Sequence, residues 1–412
     1  MSTKEKPTHA PMDQFPVRDG ELLIGDIPVS QLTKQVGQTP FYAYDRQLIT
    51  ERIELLRKHL PADIRLHYAI KANPMPEVVQ HLANMVDGFD LASAGEMRVA
   101  LQTPMPVDKI SFAGPGKTDA ELREAIQAGV IVNLESEGEM RRMAKMADQL
   151  SITPKAAIRV NPDYELKSSG MKMGGGPKQF GIDAERVPEM LREMKTLELE
   201  FYGFHIFWGS QNLNEDAIKE AHSKTFDLAI RLNEHVPSTV KLFNIGGGLG
   251  IPYFPGERRL ALKPVGENLD KLLPNLMANL PDAEVVTELG RFIVGEAGVY
   301  ICKIIDKKIS RGETFLITDG GLHHHLAASG NFGQVIRKNY PVTIANKMDS
   351  HKKEIVNIVG PLCTPLDIIA SKMELPKADI GDLVVIYQSG AYGLTASPLN
   401  FLSHPAPGEI LV

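Results

Sequence analysis

The sequence predicts a closed (β/α)8 barrel followed by a C-terminal β domain. Three observations carry that prediction. Short β-rich runs alternate with amphipathic stretches of helical period from about residue 64 to about residue 290. Eight such runs occur, the number that closes a barrel; an open doubly wound sheet also alternates, but eight consecutive units favour closure. From residue 293 onward helical periods become scarce, and strand-like runs punctuated by Gly and Pro replace them.

The elements follow in order. The start, MSTKEKPTHAPMDQFP, is polar and Pro-containing with no signal-peptide core, and residues 1–15 are expected to be disordered. Residues 16–45 hold the strand-like stretch Glu21–Tyr44, expected to pair with the β domain and join it to a barrel over residues 46–292. Barrel strands are predicted at Ile64–Ala72, Val86–Ser93, Lys109–Gly114, Val130–Glu135, Lys155–Asn161, Leu199–Phe207, Lys241–Gly246 and Glu284–Glu288. Helical periods between them include Asp119–Ala128, Glu137–Leu150 and Glu215–His235. Lys167–Gln179, Gly- and Lys-rich and too long for a tight turn, is predicted to be a mobile loop at the barrel mouth. In residues 293–412 the strand-like runs are Thr314–Thr318, Glu354–Val359, Leu383–Tyr387 and Ile410–Val412.

Composition narrows the function. The 45 basic and 51 acidic residues give a formal net charge of −6, so no basic field points to nucleic acid. No apolar run approaches the ~18 residues that span a bilayer, so no membrane partner is expected. Two cysteines, Cys302 and Cys363, make no disulfide framework and suit a reducing cytoplasm.

Active sites of such barrels lie at the C-terminal ends of the strands. The first strand delivers His67-Tyr68-Ala69-Ile70-Lys71-Ala72-Asn73 there, and a lysine at an apolar strand end is costly to bury charged. Taken alone, it is as readily a surface lysine at a strand terminus. The second delivers Asp90, the fourth Glu135, the fifth Arg159, and the sixth His205 followed by Gly209-Ser210. A lone strand histidine is more often a satisfied core residue than a ligand. After the seventh strand comes Gly246-Gly247-Gly248-Leu249-Gly250, where backbone N–H groups can converge on an anion. The eighth ends in Glu288-Leu289-Gly290-Arg291. One lysine, one histidine, carboxylates, two arginines and a glycine cradle around one mouth suit a phosphorylated cofactor linked to an amine.

These residues also carry a resemblance. Tyr68-Ala-Ile-Lys71-Ala-Asn73 resembles the lysine motif of the fold-type III pyridoxal-phosphate decarboxylases, which include the diaminopimelate, ornithine and arginine decarboxylases. Phe89–Glu96, Gly246–Gly248, Glu288–Arg291, Gly360-Pro-Leu-Cys363 and Gly390-Ala-Tyr392-Gly393 extend it from about residue 20 to the C-terminus. The resemblance implies a TIM-type, alanine racemase-like barrel with a C-terminal β barrel or sandwich, and a cytoplasmic homodimer with shared active sites. It implies pyridoxal 5'-phosphate on Lys71, Glu288 paired with the pyridine nitrogen, and His205 stacked on the ring. Ser210, Gly247, Gly248, Gly290, Arg291 and Tyr392 resemble the phosphate set, and Asp90 and Arg159 the supporting shell. Cys363 matches the cysteine that reaches in from the neighbouring subunit to protonate the carbanion, and a buried small hydrophobe is its structural alternative.

The implied reaction is removal of an α-carboxylate from an amino acid or derivative, free or carrier-linked. Departures bear on the substrate. Diamine-substrate members have an acidic residue after the cysteine, and here it is Thr364, which argues against a cationic substrate tail. Diaminopimelate decarboxylase proper is the alternative, but its arginine and tyrosine have no counterpart in Gly321–Asn331. Phe207 and Trp208 are additional before Gly209-Ser210, and Gln179-Phe180-Gly181 replaces the frequent Lys-Phe-Gly. The pattern resembles a divergent branch found with exosortase or natural-product gene sets. Candidate substrate residues are His323, Thr364, Asp367 and Tyr392. The run His323–His325 is not read as a metal site, because adjacent side chains on a strand point oppositely. A racemase would need a tyrosine base where Cys363 stands, and a silent binding protein would be expected to lose Lys71, Glu288 or Cys363.

Overall fold

A computed structural model describes residues 7–165 and 171–412 of the chain. The chain divides into two compact units. One comprises Arg52–Ile251 and Leu260–Phe292; the other comprises the described part of Met1–Glu51 with Pro252–Arg259 and Ile293–Val412.

The first unit is the barrel. Its strands are Ile64–Ala69, Gly88–Leu91, Ile110–Phe112, Ile131–Leu134, Lys155–Asn161, Glu200–Ile206, Leu242–Asn244 and Glu284–Leu289. Each pairs parallel with the next, and the eighth pairs with the first through Val285↔Ile64, which closes the cylinder. Parallel closure requires crossover helices, and caps for several of them are written in the sequence. Thr118 and Glu121 form a capping box for Asp119–Ala128, and Ser136 caps Glu137–Leu150. The pleat sends alternate residues inward, and the interior holds an apolar layer of Ile131, Ala157, Leu242 and Val286.

Three expectations are corrected locally. Lys71 does not end a strand: the first strand stops at Ala69, and Ile70–Ala72 is a 3-10 turn. In the predicted mobile loop, 167–170 lie outside the described residues, whereas Met171–Lys172 pairs as a strand with Gly209–Ser210. Residues 9–15 are ordered rather than disordered. Arg259 donates to Asp13 at 2.9 Å, His9 Nε2 lies 2.8 Å from the Asn339 carbonyl, and Phe15 is buried in an apolar core.

The second unit is built on a mixed eight-stranded sheet. Along its main path the order is Val342–Ile344, Leu383–Ile386, Gly298–Ser310, Glu313–Thr318, Lys353–Val359 and Ile368–Pro376. Phe41–Tyr44 pairs antiparallel with Gly298–Ile301 and parallel with Gly408–Leu411, so the N-terminal segment does join this sheet. Within Glu21–Tyr44, however, Val29–Val36 is a helix ended by left-handed Gly37. Its β-branched residues read as strand, but Val29, Leu32 and Val36 share one helical face against the apolar core.

Candidate active site

The turn that carries Lys71 is locked by its neighbours. The Tyr68 hydroxyl donates to the Asn73 carbonyl at 2.8 Å, and Asn73 N–H donates to the Ile70 carbonyl at 3.0 Å. Gly290, at the end of the eighth strand, lies directly beneath: a Cβ there would come 2.7 Å from the Ala72 Cβ. The Lys71 ammonium sits 5.5 Å from the centroid of Phe207, one of the two additional aromatic residues.

Inward-facing positions of neighbouring strands supply the polar groups. His205 Nε2 and Glu288 Oε2 lie 3.2 Å apart, both buried. Asn244, one strand over, donates to Glu288 at 3.2 Å and to Asp90 at 3.3 Å. Asp90 in turn faces His67 Nδ1 at 3.2 Å and accepts from Ser111. Burial alone would push the Glu288 carboxyl up; His205, with Lys71 and Arg159 beyond it, instead holds it well below the usual carboxylate range. A carboxylate biased toward its ionised form therefore stands inside the mouth, braced through Asn244 by Asp90.

Arg159 belongs to an adjoining group. Its guanidinium meets Glu135 at 2.7 Å and lies 4.9 Å from the Phe180 ring centroid. Glu135 also accepts from Gly114 N–H at 2.7 Å and Gly181 N–H at 2.8 Å. Lys117, almost fully buried, donates to the carbonyls of Gly114 and Asn133 and pairs with Glu139 at 3.0 Å.

The glycine loop is packed where no side chain would fit. A Cβ on Gly247 would collide with the Glu288 carbonyl at 1.8 Å, and Gly248 has φ +93. Asn212 donates from its backbone to the Gly248 carbonyl at 2.9 Å, and the Gln211 amide holds Ile251 through bonds of 2.6 and 3.2 Å. Trp208 fills the space beneath Gly248. The Asn212 Nδ2 donor, buried next to this loop, has no acceptor among the described residues. That donor, the clamped glycines, the ionised Glu288 and the Lys71 amine fit pyridoxal phosphate, which presents an anion, a basic ring nitrogen and an aldehyde.

Lys71, Asp90, Arg159, His205, Ser210, Gly247, Gly248, Glu288, Gly290 and Arg291 all belong to the barrel unit, and within it direct contacts join Asp90, Asn244, Glu288 and His205. The sequence alone assigns no role to Asn244, His67, Ser111, Gln211 or Asn212. Only their alternate strand positions, or their place beside the glycines, could have flagged them.

Cys363, Thr364, Asp367, His323 and Tyr392 belong to the β unit. Cys363 is exposed, and Tyr392 adopts a left-handed backbone at φ +53, costly for a non-glycine residue. His323–His325 forms a turn, not a strand, so the argument from alternating side chains does not apply. The His323 and His324 ring centroids lie 3.7 Å apart with the planes tilted by 42°, and all three rings are buried. His324 engages Tyr300 and the Pro405 carbonyl, and His325 engages Ser389. Among the described residues, no group of three His, Cys, Asp or Glu side chains is placed to hold a metal ion. The assignment of Asp367 to substrate is corrected: it is 3% exposed, and both carboxylate oxygens accept from backbone N–H groups.

Comparison with known proteins agrees with this geometry. The profile of the family described as "Pyridoxal-dependent decarboxylase, pyridoxal binding domain" matches residues 46–295. The L-glutamyl-[BtrI acyl-carrier protein] decarboxylase of Niallia circulans is 36% identical over 93% of this chain and 90% of its own. A diaminopimelate decarboxylase of Aquifex aeolicus is 33% identical over 96% of this chain and 91% of its own. A crystal structure of an Aquifex aeolicus protein superposes with TM-score 0.84 at 31% identity, covering 97% of this chain and 92% of that one. The chain belongs to the pyridoxal-dependent decarboxylases. Its cofactor is pyridoxal phosphate, and it is an amino-acid decarboxylase.

Proposed function

We propose that the chain removes the α-carboxylate of an amino acid with a neutral or anionic side chain, or of an amino acid carried as a thioester through its side-chain carboxyl. The observation that carries the site assignment is the buried Glu288, kept ionised beside His205 at the strand ends that present Lys71. Pyridoxal phosphate, when bound, supplies an electron sink for the pair released as CO2 leaves. Lys71 would hold the cofactor through its amine. Glu288, its carboxylate fixed by Asn244 and Asp90, would keep a proton on the ring nitrogen, and His205 would support the ring. Ser210, Gly247, Gly248, Gly290, Arg291 and Tyr392 would hold the phosphate, and Arg159, oriented by Glu135, would lend positive charge.

Cys363 of the partner subunit delivers the proton to the substrate carbon, which makes the active unit a homodimer. Thr364 supports the substrate class: no carboxylate stands beside Cys363 to pair a distal ammonium, and an unpaired ammonium costs about 1–3 kcal/mol. The name of the Niallia circulans relative, which acts on a carrier-bound glutamyl group, supports the carrier-linked form. Residues 46–292 act as the cofactor-binding barrel domain and residues 293–412, with the N-terminal segment 16–45, as the β domain. We place the enzyme in the cytoplasm: no helix among the described residues is long and apolar enough to cross a membrane, and its two cysteines are unpaired.

Two measurements test this. Borohydride reduction of the holoenzyme followed by peptide mapping should place the pyridoxyl group on Lys71, and its appearance on any other residue refutes the site. CO2 release from S-(γ-L-glutamyl)-pantetheine, whose α-carboxylate is free, should exceed that from ornithine, lysine or diaminopimelate. Efficient turnover of diaminopimelate, at kcat/KM of ~10⁴ M⁻¹s⁻¹ or more, would restore that substrate instead.

A further inference from the structure

We infer that Asp367 is a positioning residue that clamps the loop bearing Cys363 to the segment after strand Glu313–Thr318, and so sets where the thiol lies. The inference rests on the reading of Cys363 as proton donor. The loop Gly360–Asp367 joins strands Lys353–Val359 and Ile368–Pro376. Left to itself, such an exposed connection would hold its tip loosely. Here Asp367 closes it. Gly360 N–H donates to the Asp367 carbonyl at 3.1 Å, and Asp367 N–H donates to the Thr364 carbonyl at 3.3 Å.

The side chain then ties two separate segments. Oδ2 accepts from Leu362 N–H at 2.9 Å, immediately before Cys363. Oδ1 accepts from Leu322 N–H at 2.6 Å, immediately before His323. Bonds from two backbones fix the carboxylate, and with it the separation of the two segments. The neighbouring glycines are explained by the same clamp. A Cβ on Gly360 or on Gly321 would come 2.3 Å from an Asp367 oxygen, so both positions must stay bare for the carboxylate to fit between them. One of these glycines opens the Gly-Pro-Leu-Cys motif; the other precedes the histidine run. Two sequence features that look independent are therefore the two walls of one anchor.

A proton donor displaced by about 1 Å can lose on the order of 10²-fold in rate, so the clamp matters to chemistry without touching substrate. The test uses the holoenzyme and Asp367→Asn, which keeps size but removes one acceptor. Hydrogen exchange in the peptides holding Leu322 and Leu362 should rise at least about tenfold, while the pyridoxal content stays unchanged. Turnover of S-(γ-L-glutamyl)-pantetheine should fall on the order of 10–100-fold with Cys363 present, but less than about twofold in a Cys363→Ser background. Unchanged exchange at both amides overturns the clamp. An equal fall in both backgrounds also overturns it, since Asp367 would then act on substrate or on the fold at large. If Asp367→Asn does not fold, Gly321→Ala, which crowds the carboxylate instead of removing it, must reproduce the same pattern or the inference fails. Full turnover in Cys363→Ser alone sinks the proton-donor reading, and the exchange measurement then decides the clamp by itself.

Discussion

Acidification from pH 7.5 to pH 5 should cost the β unit much of its stability, and His323, His324 and His325 set the size of the loss. Burial holds their folded-state pKa values to about 3, 4 and 3, against an ordinary 6.5. For His323 and His324 the neighbouring His404 presses the same way, while the Pro405 carbonyl partly offsets this at His324. A histidine whose folded pKa is depressed binds its proton first in the unfolded chain. Its contribution is whole above about pH 6.5 and drains away as the pH falls toward its folded value. At pH 5 the unfolded chain is about 1.5 pH units below its own pKa, which is worth about 2 kcal/mol per ring, or about 6 kcal/mol for the three. That rivals the whole stability of a typical domain. The assay is urea unfolding at several pH values, followed by a signal from the β unit. Unfolding near pH 5 should take up about three protons from this turn, and His325→Asn should remove one of them. A pH dependence below about 1 kcal/mol over this range would show that the turn is hydrated and the reasoning wrong.

Three further outcomes follow from the barrel. Lys117→Met should destabilise by about 3–5 kcal/mol in thermal or urea unfolding, because Glu139 and two carbonyls lose their buried partner. A loss under 1 kcal/mol would mean water reaches the pair. Glu288→Gln should retain pyridoxal phosphate, seen in its absorbance, yet lose about 10²–10³-fold in turnover; wild-type rates would remove Glu288 from the chemistry. Gly290→Ala should weaken cofactor retention by displacing the Lys71 turn, through the 2.7 Å clash with Ala72. Unaltered binding in titration would show that the turn yields freely.

The barrel was readable in the sequence because short apolar runs alternate with amphipathic helices, several of them opened by a capping side chain, as with Thr118 and Ser136. Lys71, His205 and Glu288 stood out because each closes or follows such a run. What escaped notice has physical causes. Asn244, Gln211 and Asn212 act through amides, which carry no local signature and gain meaning only when strands distant in sequence lie side by side. Val29–Val36 has β-branched residues at helical spacing, and tertiary packing decided between the two. Gly298–Ser310 is buried over its first half and largely exposed over its second, so no single period marks it. A carboxylate near a cysteine motif, as at Asp367, reads as a substrate ligand in sequence, which gives no hint that backbone amides claim both its oxygens.

The place of Phe41–Tyr44 in its sheet has a consequence for how the protein is made. This fully buried strand leaves the ribosome early, yet its antiparallel partner follows roughly 250 residues later and its parallel partner later still. At ordinary rates of translation the delay is on the order of tens of seconds. Throughout that interval an apolar Phe-Tyr-Ala-Tyr edge has neither neighbour, while the strands of the barrel emerge in order and pair with one another as they come. Vectorial synthesis therefore favours the cofactor domain as the first to mature, and makes the β unit the stretch of nascent chain most in need of a chaperone.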